Sequence, residues 1–567
     1  MTDPKASVSR RGHPGAKKRR TGKTPKGRQV DPAALSELRE LLGSRSRRRD
    51  LLIEHLHLIQ DQYGHLSAPH LAALAQEMRL ALTEVYEVAS FYAHFDVVRE
   101  GERPPPPLTV RVCDSIACEL AGARALLAEL AGNAGQDVRV ARAPCMGRCD
   151  MAPVAVVGQR HVVRAGTASV LETIRQGRTR AELPDYPGYD DYVANGGYKL
   201  LGQCLSGERQ AEDVITALEH SHLRGLGGAG FPTGRKWRIV RGYPEPRLMA
   251  VNADEGEPGT FKDCYYLEHD PHRFIEGMLV AAWVVKAKVC YVYLRDEYPG
   301  VGVALKKELG RVEAEGLLGD LKVELRRGAG AYICGEESAM IESIEGKRGL
   351  PRNRPPYVAE VGLFGRPTLQ NNVETLYWVR DIVERGPEWF TAAGRNGCHG
   401  WRSYSVSGRV KEPGVKLAPA GITVRELIEE FCGGMQDGHR FKAYLPGGAS
   451  GGILPAALGN VPLDFGTLEP HGCFIGSAAI VVFSEQDNMR DVALNLMRFF
   501  EDESCGQCTP CRVGTEKAVK LMTAAEWDVD LLAALSKTMA DASICGLGQA
   551  AGNPINSVLR YFREDLS

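Results

Sequence analysis

Two groups of four cysteines carry the clearest chemical pattern in the sequence. The first group has the spacing Cys-x4-Cys and, twenty-six residues later, Cys-x3-Cys, and it consists of Cys113, Cys118, Cys145 and Cys149. Each pair comes where a predicted strand ends in a loop, so two loops can clamp one centre from opposite sides. Four thiolates suit tetrahedral zinc or a [2Fe–2S] cluster. Structural zinc most often uses Cys-x2-Cys hooks, so the wider loops favour [2Fe–2S], with zinc and structural cysteines as alternatives.

The second group reads Cys-x2-Cys-x2-Cys, with a remote fourth cysteine 34 residues further on, and it consists of Cys505, Cys508, Cys511 and Cys545. Three thiolates at this pitch can occupy three corners of a cubane, so the spacing predicts a [4Fe–4S] cluster. The fifteen cysteines are an odd number and no secretory signal is apparent, which argues against a disulfide framework and for a cytoplasmic protein. The remaining seven are interpreted as packing residues.

A glycine-rich loop spans residues 225–237 and contains a G-x-G-x-x-G match. The dinucleotide fingerprint follows a strand and opens a helix, whereas this loop follows a predicted helix and runs into a proline. Taken alone, such a loop is more often a glycine-rich turn than a nucleotide site. Its backbone N–H groups could nevertheless approach a phosphate, with Lys236 meeting an anion and Phe231 stacking on a ring.

Three further polar stretches accompany this loop. They are NADEGEPGT at 252–260, GAGAYICGEES at 328–338 and QNNVET at 370–375. Each acidic turn, considered singly, is more often a solvated loop or the start of a helix. Because the first two end apolar strips and all three combine amides, hydroxyls and carboxylates, together they predict one shared pocket.

Length and composition bound the class of protein. At 567 residues the chain is too long for one hydrophobic core, and with 44% hydrophobic and 25% charged residues it has an ordinary globular composition. A net charge of −1 argues against binding to nucleic acid or a membrane surface as a main role. The most apolar stretch, 278–294, contains Lys286 and Lys288, so it is interpreted as a core helix that runs into a strand.

The sequence therefore predicts a multidomain α/β protein. A basic N-terminal stretch is expected to be a disordered, solvated arm, and helical periodicity follows it. Alternating strands and helices then predict a small and a larger α/β domain, joined by a linker rich in Pro, Gly and Tyr. The predicted segments are 1–30 (arm), 31–103 (helical), 108–176 (small α/β), 177–199 (linker), 200–395 (larger α/β), 396–486 (strands around one helix) and 487–567 (helical).

The motifs as a set resemble a known family. GLGGAGFPTGRKW, NADEGEPGTFKD, GAYICGEES, PTLQNNVET and ESCGQCTPCR with SICGLG are similar to the flavin-bearing, NADH-oxidising subunit of respiratory NADH dehydrogenase. The segment with the first cysteine group resembles the thioredoxin-like [2Fe–2S] subunit of that complex. Fusion of the two in one chain is similar to the diaphorase subunits of NAD-reducing hydrogenase and NAD-dependent formate dehydrogenase. The whole chain looks most like the beta subunit of the molybdenum- or tungsten-dependent formate dehydrogenase.

The resemblance implies the fold of each domain and the cofactors. It implies a thioredoxin-like [2Fe–2S] domain with a helical prelude, an FMN-binding α/β domain, a ubiquitin-like β-grasp (SLBB-like) module and a C-terminal helical [4Fe–4S] domain. NAD is expected near Phe231, Glu257 and Glu337, and Tyr357 stands where relatives often have Phe. The implied FMN residues are Gly225, Gly227, Gly228, Gly230, Lys236, Asn252, Asp254, Gly335, Glu336, Asn371, Asn372 and Thr375.

The resemblance also implies activity and partners. Hydride transfer between a nicotinamide and FMN needs positioning rather than a general acid or base, so no acid–base residue is named. The expected assembly is a cytoplasmic hetero-oligomer with a molybdenum or tungsten pterin formate dehydrogenase alpha subunit. The alternatives are the diaphorase of a hydrogenase, the respiratory subunit itself, and, outside the enzymes, a zinc-containing docking scaffold.

Overall fold

The computed structural model describes residues 28–566. Most of the basic arm predicted over residues 1–30 lies outside this range. Within it, no helix is both long enough and apolar enough to cross a lipid bilayer.

The first described segment is a group of short helices, as its apolar spacing predicts. The side chains of Asp31 and Ser67 cap the first and third helices by accepting hydrogen bonds from N–H groups of the first turn. The apolar spacing of residues 81–95 predicts one helix, but the helix ends at Ala89 and the following turns bury Tyr92 and Phe95. The elements are α1 (Pro32–Leu42), α2 (Leu52–Tyr63), β1 (Leu66–Ser67), α3 (Ala68–Met78), α4 (Leu82–Ala89) and β2 (Val97–Val98).

The next segment forms a small α/β domain whose sheet has the strand order β4-β3-β5-β6. Its elements are β3 (Leu108–Cys113), α5 (Ile116–Leu120), α6 (Ala123–Asn133), β4 (Val138–Ala143), β5 (Ala155–Val157), β6 (Arg160–Val162) and α7 (Thr167–Arg175). Strand β4 runs parallel to β3, while β5 and β6 are antiparallel. The apolar pattern of residues 154–163 predicts one strand, but the structure has a hairpin there, because Gly158 (φ 65°) and Gln159 form a tight turn.

The segment 177–199, predicted as a linker, is partly ordered against the larger domain. It contains α8 (Tyr189–Ala194). Tyr192 is buried there and its hydroxyl donates a hydrogen bond to Glu276 Oε2 at 2.6 Å. The Pro and Gly content of the segment indicated an irregular path, but not the buried tyrosine that fixes it.

The larger α/β domain has a parallel sheet in the order β10-β7-β8-β9 with helices packed on it. The prediction that 278–294 is a core helix leading into a strand is confirmed by the end of α13 and by β8. The elements are α9 (Lys199–Ser206), α10 (Ala211–His220), α11 (Thr233–Gly242), β7 (Arg247–Ala253), α12 (Lys262–His269), α13 (Pro271–Val285), β8 (Ala287–Leu294), α14 (Pro299–Ala314), β9 (Lys322–Arg327), α15 (Glu337–Ile344), β10 (Thr368–Asn372), α16 (Val373–Tyr377), α17 (Val379–Arg385) and α18 (Pro387–Thr391).

The following module is a mixed sheet in the order β12-β11-β15-β13-β14, in which β11 and β15 are parallel. Thr423 and Glu426 have the spacing that predicts a capping box, and the structure confirms it, since each side chain accepts a hydrogen bond from the other residue's N–H. The elements are β11 (Trp401–Gly408), β12 (Gly414–Pro419), α19 (Val424–Glu426, continued by a π-helical turn at Leu427–Phe431), β13 (Phe441–Leu445), β14 (Leu454–Pro455) and β15 (Ala479–Ser484).

The C-terminal part is helical, as predicted. Its elements are α20 (Met489–Asp502), α21 (Thr509–Thr523), α22 (Val529–Ala542), α23 (Gly546–Ala550) and α24 (Asn553–Tyr561). One apolar cluster joins these helices to the N-terminal helices and to the sheet of the larger α/β domain, with Leu56, Tyr293, Phe483 and Phe500 among its members. One buried cluster therefore crosses the motif boundaries, while the small α/β domain, the larger α/β domain and the mixed-sheet module also have clusters of their own.

Candidate cofactor sites

The parallel sheet has a topological break between β7 and β10. The chain forms β8 and β9 on one side of β7 and then crosses to the other side to form β10. In open α/β sheets, nucleotides bind in the crevice outside the carboxyl ends of the strands at such a break. Asn252 in β7 pairs directly with Asn372, the last residue of β10. The sheet thus brings two of the predicted polar stretches side by side.

The glycine-rich loop closes over this crevice. The N–H of Leu226 donates to Thr375 Oγ1 at 2.9 Å. A Cβ at Gly227 would lie 3.0 Å from the Cβ of Asn372, and one at Gly230 would lie 2.7 Å from the ring of Phe465. Glycine is therefore needed at these two positions so that the backbone can approach its neighbours. Gly225 and Gly228 lie in the same loop, and the Gly225 N–H donates to Phe231 O at 2.9 Å.

Lys236 and the side-chain amides are held by the framework. Burial lowers the pKa of Lys236, and its Nζ donates to Gln370 O at 3.3 Å. Asn371 is buried and accepts from Trp237 Nε1 at 2.9 Å, so its side chain joins α11 to β10 rather than lying free. Asn252 Nδ2 donates to the carbonyl of Gly335 at 2.8 Å, which ties the end of β7 to the 328–338 stretch.

Asp254 presents a buried acceptor that lacks a partner. Its residue surface is partly exposed, but among residues 28–566 its Oδ2 is shielded from solvent and has no hydrogen-bond donor. Burial raises the pKa of the Asp254 carboxyl well above its usual range. A buried acceptor without a donor is costly unless a ligand supplies one. A sugar-alcohol hydroxyl, as on the ribityl chain of FMN, fits this position.

Glu257 links two domains at the same crevice. Its carboxylate accepts hydrogen bonds from the hydroxyl of Tyr332 and, at 2.8 Å, from the N–H of Ser450 in the β-grasp module. Burial raises the pKa of Glu257. Sequence reasoning missed Ser450 and Phe465 as site neighbours, whereas Tyr332 lies in the predicted 328–338 stretch. The glycine-rich stretch at 447–452 was the sequence feature that could have indicated that the β-grasp module approaches the crevice.

The remaining predicted residues are two carboxylates and two exposed aromatic rings. Glu336 caps α15, accepting from the N–H groups of Ser338 and Ala339, both at 2.9 Å, so its Oε2 is already engaged. The Glu337 carboxylate forms an ion pair with Arg354, and its Oε1 lies 3.0 Å from Arg354 Nη1. Phe231 and Tyr357 are 39% and 59% exposed, so both present an aromatic face to solvent. Exposed rings of this kind can stack on a flat ligand.

The first cysteine group converges in the small α/β domain. Cys113, Cys118, Cys145 and Cys149 are all buried, and the last two thiols are 3.3 Å apart. Cys113 ends β3, while Cys145 and Cys149 lie on the loop after β4. All fifteen cysteines fall within residues 28–566 and are free thiols there. A buried all-sulfur donor set fits a [2Fe–2S] cluster.

The second cysteine group lines a single small pocket between the C-terminal helices and the larger α/β domain. Its walls also include Ile333, Pro351, Ile544 and Leu547, and the thiols of Cys505, Cys508, Cys511 and Cys545 border it together. The third of these lies in α21, which begins directly after the second, and the remote one precedes α23. Helix and loop thus deliver four thiolates to one apolar space, which fits a [4Fe–4S] cluster.

Four family models match successive regions of the chain. They are described as the Thioredoxin-like [2Fe-2S] ferredoxin (residues 38–178), the Nuo51 FMN-binding domain (218–381), the SLBB domain (403–454) and the NADH-ubiquinone oxidoreductase-F iron-sulfur binding region (491–567). The predicted fold class and the predicted FMN, [2Fe–2S] and [4Fe–4S] cofactors are thereby confirmed.

Curated proteins and solved structures agree with these matches. The F 2 subunit of NADH-quinone oxidoreductase from Rhizobium meliloti (strain 1021) is 41% identical over 399 residues, covering 68% of this chain and 94% of the relative. The F subunit of the same enzyme from Aquifex aeolicus (strain VF5) is 40% identical over 400 residues, covering 68% and 92%. The crystal structure of an NAD+-reducing [NiFe]-hydrogenase in the H2-reduced state superposes with a TM-score of 0.80 at 32% identity, over 92% of each chain.

These matches decide between an enzyme subunit and a zinc-containing scaffold. The match to the F subunits extends through the FMN-binding and iron–sulfur regions, and the alternative of a flavin-free scaffold does not account for it. The chain belongs to the family of NADH-quinone oxidoreductase F subunits and is an FMN- and iron–sulfur-dependent NADH oxidoreductase component.

Proposed function

We propose that the crevice between β7 and β10 holds FMN, with NAD stacked at its mouth. The unpartnered Oδ2 of Asp254 is the observation that carries this proposal, since it lies beside the glycine-rich loop's crevice and lacks a donor among the described residues. The proposed FMN residues are Gly225, Gly227, Gly228, Gly230, Lys236, Asn252, Asp254, Gly335, Glu336, Asn371, Asn372 and Thr375.

The proposed NAD residues are Phe231, Glu257, Glu337 and Tyr357. The exposed aromatic rings can stack on the flat nicotinamide or adenine ring, and the carboxylates can accept hydrogen bonds from ribose hydroxyls. Bound FMN supplies the exchange between the two-electron chemistry of nicotinamides and the one-electron chemistry of iron–sulfur clusters. The chain's own residues bind and orient, and no side chain has to move a proton for the hydride step.

We further propose that the two cysteine groups ligate the clusters as predicted. Cys113, Cys118, Cys145 and Cys149 would hold [2Fe–2S], and Cys505, Cys508, Cys511 and Cys545 would hold [4Fe–4S]. Burial of the first four thiols and the shared pocket of the second four support this assignment.

For the upstream partner we propose a molybdenum or tungsten pterin formate dehydrogenase alpha subunit in a cytoplasmic hetero-oligomer. Electrons from formate would then enter this chain and reduce NAD+. The fusion of a [2Fe–2S] domain to the FMN domain supports a partner of this general kind. A [NiFe] hydrogenase partner is the second candidate, because the similar hydrogenase chain is matched over 92% of its length, N-terminal domain included.

Purification of the complex through a tag on this chain tests the partner. We expect molybdenum or tungsten in the complex and formate-dependent reduction of NAD+. Nickel with hydrogen-dependent reduction would overturn formate and establish the second candidate. The isolated chain should oxidise NADH with ferricyanide but show no formate activity; formate turnover by this chain alone would contradict the proposed division of labour.

A further inference from the structure

A buried arginine lies where the small α/β domain meets the FMN-binding domain. Arg295 follows β8 directly and is 4% exposed. Its Nη2 donates to the backbone carbonyl of Cys145 at 2.6 Å, and its Nη1 donates to the backbone carbonyl of Glu255 in the crevice loop. One guanidinium therefore bonds both a proposed [2Fe–2S] ligand and the loop after β7.

The surroundings of Arg295 leave it little freedom. Its Nε donates to Glu297 Oε2 at 3.1 Å, and its guanidinium carbon lies 5.0 Å from the centre of the Tyr298 ring. The Tyr298 hydroxyl in turn donates to Glu255 Oε2 at 3.2 Å. Hydrogen bonds from all three nitrogens of the planar guanidinium to three different acceptors, together with the neighbouring ring, hold the group in one orientation. The cation is thus fixed against the cysteine loop rather than free to swing into solvent.

The cysteine loop is fitted closely to the same group. Gly147, between Cys145 and Cys149, has φ 66°, and a Cβ there would lie 2.1 Å from the Tyr298 hydroxyl. A side chain at this position would therefore push the loop off the FMN-binding domain. Close packing and the hydrogen bond from Arg295 together set where two of the four thiols lie.

We propose that Arg295 is a positioning residue that raises the reduction potential of the [2Fe–2S] centre. The proposal rests on the assignment of Cys145 as a cluster ligand. Reduction adds one electron and hence one negative charge to the centre, and a fixed cation in a water-poor interior stabilises that charge. Hydrogen bonding and local charge are the protein's means of setting cluster potentials. The carboxylate of Glu297 partly offsets the positive charge of Arg295, so these two residues together set the reduction potential.

The test is a redox titration of the intact chain, followed by the EPR signal of each reduced cluster. We expect Arg295→Gln to shift the midpoint of the [2Fe–2S] signal to lower potential, and Arg295→Lys, which keeps the charge, to restore most of the shift. The [4Fe–4S] midpoint in the same sample is the internal reference and should stay at its wild-type value. An unchanged [2Fe–2S] midpoint in Arg295→Gln would overturn the proposal.

A second variant guards against loss of the cluster on removal of Arg295. Glu297→Gln removes the opposing carboxylate and should shift the [2Fe–2S] midpoint upward; if Arg295→Gln cannot be loaded, absence of this upward shift overturns the proposal. The underlying ligand assignment fails in a different way. In that case the wild-type chain lacks the [2Fe–2S] signal altogether, and the proposal fails with it.

Discussion

Asn252 carries two hydrogen bonds that shape the crevice. Its Nδ2 donates to Gly335 O and its Oδ1 accepts from the N–H of Asp254 at 3.0 Å. Asn252→Ala removes both hydrogen bonds and leaves the Gly335 carbonyl without this donor. The loss is about 1–3 kcal/mol of the free energy that stabilises the crevice. We expect the dissociation constant for FMN to rise by roughly tenfold to a hundredfold. Fluorescence of released flavin measures this directly.

The matched control for that experiment is Asn133→Ala. Asn133 is an exposed residue at the end of α6, and its amide donates only to a carbonyl of its own helix. Flavin affinity should be unchanged in this variant. An unchanged affinity in Asn252→Ala as well would remove Asn252 from the FMN site.

Glu257 permits a separate test of the proposed NAD position. In Glu257→Gln the new amide presents a donor where the carboxylate accepted, so the bonds from Tyr332 and Ser450 can no longer all form. We expect KM for NADH to rise roughly tenfold, about 1.4 kcal/mol, with FMN content unchanged. Steady-state kinetics with ferricyanide give the value. A lower kcat at unchanged KM would place Glu257 outside nicotinamide binding.

Spacing alone is enough to divide eight of the cysteines into two groups, whereas no residue pattern predicts the crevice neighbours. Cysteine spacing is local, and the chemistry of thiolates restricts what four of them can do. Ser450 and Phe465, by contrast, reach the crevice from a module two hundred residues away in sequence. Such contacts depend on how domains pack, and no local pattern encodes them.

Helix α2 meets the FMN-binding domain through a buried histidine. His57 is 3% exposed, and its Nε2 lies 2.8 Å from Gly328 O. His94, Asp296 and Arg327 face the same ring. Burial, and then the positive charge of Arg327, lowers the pKa of His57 well below its usual value.

That shift predicts how stability depends on pH. The unfolded chain binds a proton at His57 near pH 6.5, whereas the folded chain does not, so acidification favours unfolding. Between pH 7.5 and 5.5 we expect His57 to account for a loss of about 1.4 kcal/mol in the free energy of unfolding. This decrease in the free energy of unfolding should be smaller in His57→Gln. Thermal unfolding at constant ionic strength measures it.

His220→Gln is the control for the pH series. His220 lies exposed at the end of α10, and this substitution should leave the wild-type pH dependence in place. If His57→Gln and wild type lose stability equally, the pH dependence arises elsewhere.

Periodicity located most elements but not all of their ends. Apolar spacing identified α1 to α3 and the change from α13 to β8, because burial of one face imposes that spacing. The hairpin at Gly158 and the end of α4 at Ala89 were not predicted. The hairpin follows from a local turn at the positive φ of Gly158, whereas the end of α4 is followed by turns that bury Tyr92 and Phe95.

On the scale of the whole molecule, the motif boundaries are not boundaries of the core. The cluster that contains Leu56 and Phe500 joins helices from opposite ends of the chain to the sheet of the FMN-binding domain. The two curated relatives are covered over more than nine-tenths of their length by 68% of this chain. The order of the motifs indicates separate domains, but the apolar cluster that joins them required the structure.

The segment 177–199, with its helix α8 and buried Tyr192, joins two parts of the chain covalently: the part with the small α/β domain and the part that begins with the FMN-binding domain. A short tether gives each part an effective concentration toward the other on the order of millimolar. Contacts across the junction, such as the pair between Arg148 and Glu268, then need only orient the parts and need not supply binding affinity. Cleavage within this segment would make the association of the two parts depend on protein concentration, so that dilution could separate them.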